Sequence, residues 1–549
     1  MVVAMTLTLR PRLRSITLLL AALLCLGTVA APTAAATPAA PAGHHNGDRI
    51  PAPVVAGINV DATTIPQLQR LMDRGRLSAE QLVRFYLQRI TVLNPKLHAV
   101  ITTSRTAVAD ARAADRARRH GDQRALLGIP VIVKDNIDTT GMPTTAGSLA
   151  LKGSTPPDSF IVRQLKAAGA IVIAKANLSE WANYRGFQSS SGWSAVGGQT
   201  NNPYVLDRNP CGSSSGSAVA AAADLATVAV GTETDGSVVC PSGQNGVVGI
   251  KPTLGLASRS GIVPISAQQD TAGPIARNVT DAAVVLGALT GVDPKDPATT
   301  AQRGNVATDY TKNLKVNALK GARIGVWRSK FGTSPETDTV MENSISRLKK
   351  LGATIVDNAN IPIEAAYDDE NTALQYEFKH DIASYLVMNT SSKYPKSLQD
   401  LIDFNNTHAD KELKYFGQEI FEQAQARGPL TDPAYVAART NATTTAQKAI
   451  DDTMAADNLD AILAPTNSPA WPTDLVSGDN FLLGSSSPAA ISGYANVTVP
   501  AGYAFGLPVG MSFIGGRWDE PTLLGLAYAW EQATHVRKMP TFLPTLPVG

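Results

Sequence analysis

The sequence predicts an α/β fold in which helices cover a central β-sheet within one large layered domain. Short apolar runs bounded by glycine or charged residues recur along the chain, as is typical of buried strands. Segments with helical periodicity alternate with these runs, and that alternation favours a layered α/β architecture. No composition change marks a linker after residue 55, so we expect 56–549 to form one domain.

The first half of this domain alternates between helical and strand patterns. Within residues 61–93, Leu68 and Met72 recur at helical spacing, and Ser78 followed by Gln81 predicts a capping box. The run 129–133 is apolar throughout, which predicts a buried strand. The predicted helices are 61–93, 104–119, 160–168 and 217–223, and the predicted strands are 129–133, 170–174, 225–230 and 246–250.

The second half is more polar before it returns to strands. Residues 335–460 have a mostly helical pattern, and the chain then returns to short apolar runs separated by turn residues. We expect strands over 461–463, 496–499 and 509–514.

The N-terminal residues resemble a targeting segment rather than folded structure. Three arginines between residues 10 and 14 precede an apolar run over 16–30, and small residues suited to cleavage follow. We expect a Sec-type secretory signal peptide over 1–36 and a flexible Ala/Pro/Gly linker over 37–55. The predicted location is extracellular, and an uncleaved N-terminal membrane anchor is the alternative.

Composition and charge exclude some classes of partner. The chain has 549 residues and a formal net charge of +2, which gives no electrostatic basis for binding nucleic acid or an acidic membrane. We expect no stable membrane association after signal cleavage, and no metal motif such as His-Glu-x-x-His is present. The mature chain would retain Cys211 and Cys240, and the sequence is equally consistent with a disulfide between them and with two free buried thiols.

Lys134 is the only cation in the apolar-flanked run GIPVIVKDNI, which begins at Gly128. A lysine can accept a proton only when it is neutral, and burial favours the neutral form because the charged form loses solvation. Periodicity alone favours a different interpretation, in which a charged lysine at the strand end pairs with Asp135 or Asp138.

Two spaced serines follow Lys134. Ser213 lies in CGSSSGS, before an alanine-rich helix, and helix capping is its simplest role, although Ser217 is the better cap. No Gly-Lys-Ser/Thr follows that would indicate a phosphate loop. Ser237 follows Gly236, whose flexibility lets backbone N–H groups converge, although an ordinary glycine turn explains the pattern too.

These segments resemble the amidase signature enzymes. The blocks GIPVIVKDNIDTTGMPTTAGS, GAIVIAKANLSEWA, GGQTNNPY, CGSSSGSA, GTETDGSVVCP and GVVGIKPTLG occur in the order of that family, within a resemblance that spans nearly all of 56–540. The resemblance implies the amidase signature fold with a mixed central sheet, no cofactor, and a peptide or small-molecule amide as substrate.

The resemblance also implies a Ser–cisSer–Lys triad with Ser237 as nucleophile, Ser213 as the bridging serine after a cis bond, and Lys134 as base. Backbone N–H groups of Thr234, Asp235, Gly236 and Ser237 would bind the oxyanion. The implied reaction is hydrolysis of a carboxylic amide to acid and ammonia through an acyl-enzyme.

The chain departs from the usual family pattern in the two serine segments. Cys211, Ser215, Glu233 and Asp235 stand where other residues are usual, and these departures, with YEFK at 376–379, resemble the subgroup of bacterial peptide amidases. That subgroup implies peptide C-terminal amides as substrates. Asp235 would either bind substrate or hold the turn by side-chain hydrogen bonds.

Four alternative functions remain open on the sequence. The enzyme could hydrolyse small aliphatic or aryl amides or esters, or it could be an α/β-hydrolase with Ser214 as nucleophile and His380, His408 or His535 as base. The residues before Ser214 contain two prolines and lack the strand that this nucleophile elbow requires. A transfer-RNA amidotransferase A subunit works inside cells, which the export segment disfavours. A non-catalytic secreted binding protein would not need the intact set of Lys134, Ser213 and Ser237.

Overall fold

The computed structural model describes residues 50–307 and 309–547. The strands are β1 Val54–Val55, β2 Ile58–Asn59, β3 Val100–Thr103, β4 Pro130–Lys134, β5 Ile171–Ala176, β6 Trp193–Ser194, β7 Gly198–Gln199, β8 Val228–Glu233, β9 Val248–Lys251, β10 Thr271–Ala276, β11 Arg323–Val326, β12 Thr354–Val356, β13 Ala461–Pro465, β14 Asn496–Ala504 and β15 Leu507–Ile514. The helices are α1 Ile65–Asp73, α2 Ala79–Leu97, α3 Ala107–Arg119, α4 Phe160–Ala167, α5 Ser215–Ala222, α6 Val239–Gln244, α7 Val279–Leu289, α8 Pro335–Lys350, α9 Tyr367–Asn389, α10 Leu398–Thr407, α11 Ala409–Glu412, α12 Glu419–Gln425, α13 Pro433–Ala456, α14 Ser487–Ser492 and α15 Glu520–Thr534.

An 11-stranded mixed sheet forms the centre of the fold. Its strand order is β12-β11-β13-β15-β14-β9-β10-β8-β4-β5-β3. The pairs β4–β5, β4–β8, β11–β12 and β11–β13 are parallel, whereas β8–β10 and β14–β15 are antiparallel. Every residue of β4, β5, β8 and β15 is buried, because helices cover both faces of the sheet. The predicted α/β class with a mixed central sheet is confirmed.

The polar segment 335–460 forms a helical layer beside the sheet. The longest helices, α9 and α13, pack against each other. Phe378 on α9 and Phe421 on α12 belong to one apolar cluster with Trp181 and Ala146, which lie between Lys134 and Ser213 in sequence. This cluster fixes the helical layer against the part of the chain that carries the candidate site.

Helix boundaries differ from the sequence expectation where local signals break a periodic pattern. The predicted helix 61–93 is two helices, because the chain turns at Gly75, whose φ is +65°, and restarts at Ser78. The capping box of Ser78 and Gln81 is confirmed, with the Ser78 side chain accepting from the Gln81 N–H at 3.0 Å. The predicted strand 225–230 lies three residues later, at β8.

The chain before residue 50 lies outside the described residues, and with it the predicted signal peptide 1–36 and most of the predicted linker 37–55. Residues 51–55, the end of that linker, are folded against the domain. Val54 and Val55 pair with β2, and Arg89 donates to the Pro51 carbonyl. The compact unit therefore begins at Pro51 rather than at residue 56. Within the described ranges, no helix combines the length and apolar character needed to cross a membrane.

Candidate active site

Lys134 is the last residue of β4 and is completely buried. Its Nζ lies 2.7 Å from Ser213 Oγ, 2.8 Å from Thr232 Oγ1 and 3.2 Å from the Thr232 carbonyl oxygen. Thr232 lies on β8, the parallel neighbour of β4, so the sheet itself sets this contact. The amine is surrounded by neutral oxygens, with no carboxylate in direct contact among the described residues.

Burial lowers the pKa of Lys134 from 10.5 to about 7, and the charges of Asp270 and Glu233 oppose that shift. The neutral amine is therefore well populated at neutral pH and dominates above it. The alternative pairing of Lys134 with Asp135 or Asp138 does not occur. Asp135 lies 3.4 Å from Lys175, and Asp138 accepts a hydrogen bond from the Tyr385 hydroxyl at 2.7 Å.

Ser213 lies on the loop that leads into α5, and the Gly212–Ser213 peptide bond is cis. Its hydroxyl contacts Lys134, and the residue is fully buried. Gly212 leaves no space for a side chain, because a Cβ there would lie 2.2 Å from Ser179 Oγ. The sequence interpretation of Ser217 as the helix cap is wrong. The helix starts two residues earlier, and Ser217 Oγ donates to the Val230 carbonyl of β8.

Ser237 lies on the loop between β8 and α6 and is 8% exposed. Gly236 has a φ of +78°, which a glycine adopts without strain, and this conformation turns the chain into Ser237. The Ser237 carbonyl accepts from the Ser214 N–H at 3.1 Å, which holds the two serine segments side by side. Its hydroxyl makes no hydrogen bond within the described part of the chain, and Ser237 lines a cavity.

The loop formed by residues 234–237 presents its backbone N–H groups without acceptors. None of these four groups donates to a described residue. Glu233 holds the end of the loop, since its Oε2 accepts from the N–H groups of Val238 and Val239 at 2.7 and 2.9 Å. Unpaired N–H groups beside a serine hydroxyl are the geometry that stabilises an oxyanion.

Asp235 belongs to this loop and is held by side-chain hydrogen bonding. Ser486, just before α14, donates its hydroxyl to Asp235 Oδ1. Burial raises the pKa of the Asp235 carboxyl, and its bonds to Ser486 and Ser487 oppose that rise. Asp235 also lines the cavity at Ser237, so it holds the turn while remaining available to a bound molecule.

The cavity at Ser237, called here the Ser237 cavity, has a volume of about 280 Å³. Its walls combine the 234–237 loop with apolar side chains from separate elements, which suits a small organic ligand that carries one reactive polar group. The apolar and aromatic lining residues are Tyr184, Val239, Ile265, Leu374 and Phe481.

A disulfide joins the two serine segments. Cys211, two residues before Ser213, is bonded to Cys240, three residues after Ser237, and both cysteines line the Ser237 cavity. The sequence left free thiols and a disulfide equally open. The bond supplements the backbone contact between Ser214 and Ser237, so both a covalent link and a hydrogen bond fix the separation of the two hydroxyls.

Ser214 is not arranged as a nucleophile. Its hydroxyl donates to the Thr232 carbonyl at 3.0 Å and accepts from the Thr232 N–H at 3.1 Å, and the residue is fully buried. No histidine hydrogen-bonds to it among the described residues. His380 contacts Asp381, and His408 contacts the Phe404 carbonyl. The elbow arrangement with Ser214 as nucleophile is absent from this part of the chain.

Three residues of the site escaped the sequence interpretation. Thr232 contacts Lys134, Asn136 donates to Thr232 Oγ1 at 2.9 Å, and Asp270 accepts from Thr234 Oγ1 at 2.6 Å. Thr232 could have been found from its position in the GTETDGS block, two residues before Thr234. No sequence pattern around Asp270 indicates a role in the site. Asp270 is distant from Lys134 in sequence, and only the sheet brings the two residues close together.

Comparison with known proteins gives a consistent result. The family model described as Amidase matches residues 81–524. A probable amidase from Arabidopsis thaliana is 40% identical over 500 residues, which cover 88% of this chain and 92% of that protein. The native peptide amidase from Stenotrophomonas maltophilia is 48% identical with a TM-score of 0.83, and the match covers 88% of this chain and 99% of that structure. A structure of the peptide amidase PAM with the competitive inhibitor chymostatin is 48% identical with a TM-score of 0.85, covering 87% and 99% of the two chains.

Removing the disulfide should destabilise the fold measurably. The cysteines are 29 residues apart, and releasing a loop of this length costs about 3.6 kcal/mol of unfolding free energy in the chain-entropy description. We expect the double variant Cys211→Ser/Cys240→Ser to unfold at lower urea concentration than the wild type. Wild type treated with a reductant should approach the variant, and identical midpoints for all three samples would contradict the predicted link.

Proposed function

This chain belongs to the amidase signature family and is an amidase, and we propose that it hydrolyses peptide C-terminal amides to acid and ammonia through Lys134, Ser213 and Ser237. The observation that carries the proposal is the buried Lys134 amine, which lies 2.7 Å from the Ser213 hydroxyl. Gly212, the residue before Ser213, lines the Ser237 cavity. A nucleophilic serine needs a base, and this buried lysine supplies one without a histidine.

In the proposed mechanism, neutral Lys134 accepts the Ser213 proton while Ser213 accepts the Ser237 proton. Ser237 Oγ then attacks the amide carbonyl carbon, and the N–H groups of the 234–237 loop bind the oxyanion. The two hydroxyls make no mutual hydrogen bond in the described residues, and such contacts commonly tighten when substrate binds.

Collapse of the tetrahedral intermediate breaks the C–N bond. The proton held by Lys134 returns through Ser213 to the departing nitrogen, which leaves as ammonia, while the acyl group remains on Ser237. A water molecule then enters, gives its proton to the same relay and attacks the acyl-enzyme. Breaking the bond between the acyl carbon and Ser237 Oγ releases the acid, and the relay returns the proton taken from water to Ser237 Oγ, so each group ends in its starting state.

The preference for peptide amides rests on two supports. The structures described as peptide amidases share 48% identity with this chain, and one of them is bound to an inhibitor named chymostatin. The Ser237 cavity offers apolar walls together with Asp235 next to the loop that would hold the carbonyl oxygen. Small aliphatic or aryl amides and esters are the alternative substrate class.

Export forms a separate part of the proposal. The arginines at 10–14 and the apolar run at 16–30 support a cleaved Sec signal, and the disulfide between Cys211 and Cys240 suits an oxidising compartment. Expression of the full chain with fractionation and intact-mass analysis tests it. We expect a mature chain in the culture medium that begins near residue 31 or 37, whereas an intact N-terminus in the membrane fraction would indicate the anchor.

A substrate panel tests specificity most directly. Ammonia release from peptide C-terminal amides, aliphatic amides, aryl amides and glutamine would be measured beside the hydrolysis of matched esters. We expect the highest kcat/KM for peptide amides, because extended contacts with the cavity add binding energy at the transition state. A higher kcat/KM for a simple aliphatic amide would overturn the preference but leave amide hydrolysis intact.

Ser237→Ala should lower kcat by more than about 10⁴-fold, because it removes the attacking oxygen. A sulfonyl fluoride should add its mass to the peptide containing Ser237 in the wild type and in Ser214→Ala, but not in Ser237→Ala. Full activity in Ser237→Ala with none in Ser214→Ala would reverse the assignment of the nucleophile.

Lys134 should give the pH profile its acidic limb. Because burial lowers the pKa of Lys134 to about 7, kcat/KM should fall as pH decreases through 7 and level off above it. Lys134→Ala should lose about 10²- to 10⁴-fold at neutral pH and less at high pH, where hydroxide partly replaces the base. Lys134→Arg keeps a charge that cannot be removed, so it should stay inactive up to pH 10. A profile for Lys134→Ala that matches the wild type would contradict the role of the amine.

A further inference from the structure

A small void lies behind the 234–237 loop, between the Ser237 cavity and a larger one. The larger cavity, called here the rear cavity, has a volume of about 800 Å³ and is bounded by α9 and by segments 157–163, 259–270 and 295–297. The void measures about 10 Å³. It shares Thr234 and Ile265 with the Ser237 cavity, and Arg259 and Asp270 with the rear cavity.

Asp270 links the rear cavity to the 234–237 loop. Its Oδ1 accepts from Thr234 Oγ1 at 2.6 Å, and its Oδ2 accepts from the N–H groups of Ile265 and Ser266 at 2.8 and 3.0 Å. The carboxylate is therefore held by the backbone on one side. On the other side it holds the first residue of the loop that would bind the oxyanion.

Thr232 and Asn136 also line the void, and Thr232 connects it to Lys134. Thr232 Oγ1 receives hydrogen bonds from Lys134 Nζ at 2.8 Å and from Asn136 Nδ2 at 2.9 Å. The amide oxygen of Asn136 is buried and has no hydrogen-bond partner, and Asn136 is 3% exposed. A void of this size is about what one water molecule occupies, and the polar side chains of Asn136, Thr232 and Asp270 on its wall supply the hydrogen-bond partners that a buried water requires.

We propose that Asp270 is a positioning residue for the reaction proposed above: it anchors the 234–237 loop through Thr234 and, across one water molecule held by Asn136, sets the pH range in which Lys134 acts as base. This inference rests on the proposed function. It assigns to Asp270 a role that the resemblance to the family did not imply, and it gives the void a ligand.

The charges around Lys134 and Asp270 determine the direction in which Asp270 shifts the pKa of Lys134. Lys134 faces the carboxylates of Asp270 and Glu233, and both raise its pKa against the effect of burial. Asp270 itself faces Arg259 and Asp381, and burial raises its pKa to about 6. An ionised Asp270 favours the ammonium form of Lys134, so removal of that charge should extend activity to lower pH.

The variant Asp270→Asn removes the carboxylate charge but keeps the size of the side chain. Its amide oxygen can still accept from the N–H groups of Ile265 and Ser266, while its NH₂ donates to Thr234 Oγ1, so the anchor survives. We expect the acidic midpoint of kcat/KM to move down by about one pH unit. Thr234→Val should separate the two roles the other way, because it removes the anchor but keeps the charge of Asp270. We expect a lower kcat with little change in KM and an unchanged acidic midpoint.

Asp158→Asn is the matched control, because Asp158 lines the same rear cavity but pairs with Lys166 at 2.7 Å. Its pH profile should equal that of the wild type. A midpoint in Asp270→Asn that coincides with this control, or moves upward, overturns the inference. If Asp270→Asn does not fold, Asp270→Ser keeps an acceptor oxygen and gives the same readout.

A crystal structure of the full chain above pH 8 tests the ligand. We expect one ordered water within hydrogen-bond distance of Asn136 Oδ1, and a dry void in well-ordered density overturns this part of the inference. Sulfonyl fluoride labelling of Ser237 in Asp270→Asn distinguishes the two proposals. If Ser237 is labelled normally in Asp270→Asn and the pH profile is not shifted, only the role of Asp270 is contradicted. If Ser237 is labelled neither in the wild type nor in any variant, the proposed function itself is contradicted.

Discussion

The contact between the Lys134 amine and the Ser213 hydroxyl is the interaction on which the rest of the site depends. A lysine in water is protonated at neutral pH, and a protonated lysine accepts nothing. Complete burial at the end of β4 changes that balance, because the fold surrounds the amine with hydroxyl and carbonyl oxygens rather than with carboxylates. The nearest acidic groups act on it from a distance, so the neutral form remains available.

The sheet and the two serine segments divide the work of positioning. β4 and β8 lie side by side and parallel, so Lys134 and Thr232 meet at the same edge. The segment before α5 brings Ser213 to that edge, and the Cys211–Cys240 disulfide joins it to the loop that carries Ser237. The geometry therefore comes from rigid elements and short connections, which suits a relay that needs hydroxyls at fixed separation. The open side of the loop faces the Ser237 cavity, and Asp270 supports its other side.

Much of this arrangement could be predicted from the sequence, and the exceptions have a common cause. The strand before Lys134 and the capping box at Ser78 follow from local patterns, and the structure agrees with both. The strand β8 lies three residues later than predicted, since pairing with β4 and β10, rather than local apolarity, sets its ends. The helix α5 begins two residues earlier than predicted, at Ser215. The disulfide and the role of Asp270 depend on contacts between residues that are distant in sequence, and periodicity carries no information about such contacts. Lys134 is the hardest case: its pattern alone favours a charged residue paired with Asp135 or Asp138, and only the resemblance to a family points to a base.

The protonation state of Lys134 in the resting enzyme decides whether this residue can act as the base. Lysine labelled with ¹³C at Cε reports it by NMR, with the Lys134 resonance identified by its absence in Lys134→Arg. We expect this resonance to titrate near pH 7, well apart from the resonances of the exposed lysines. A Lys134 resonance that remains that of an ammonium group up to pH 10 would contradict this expectation.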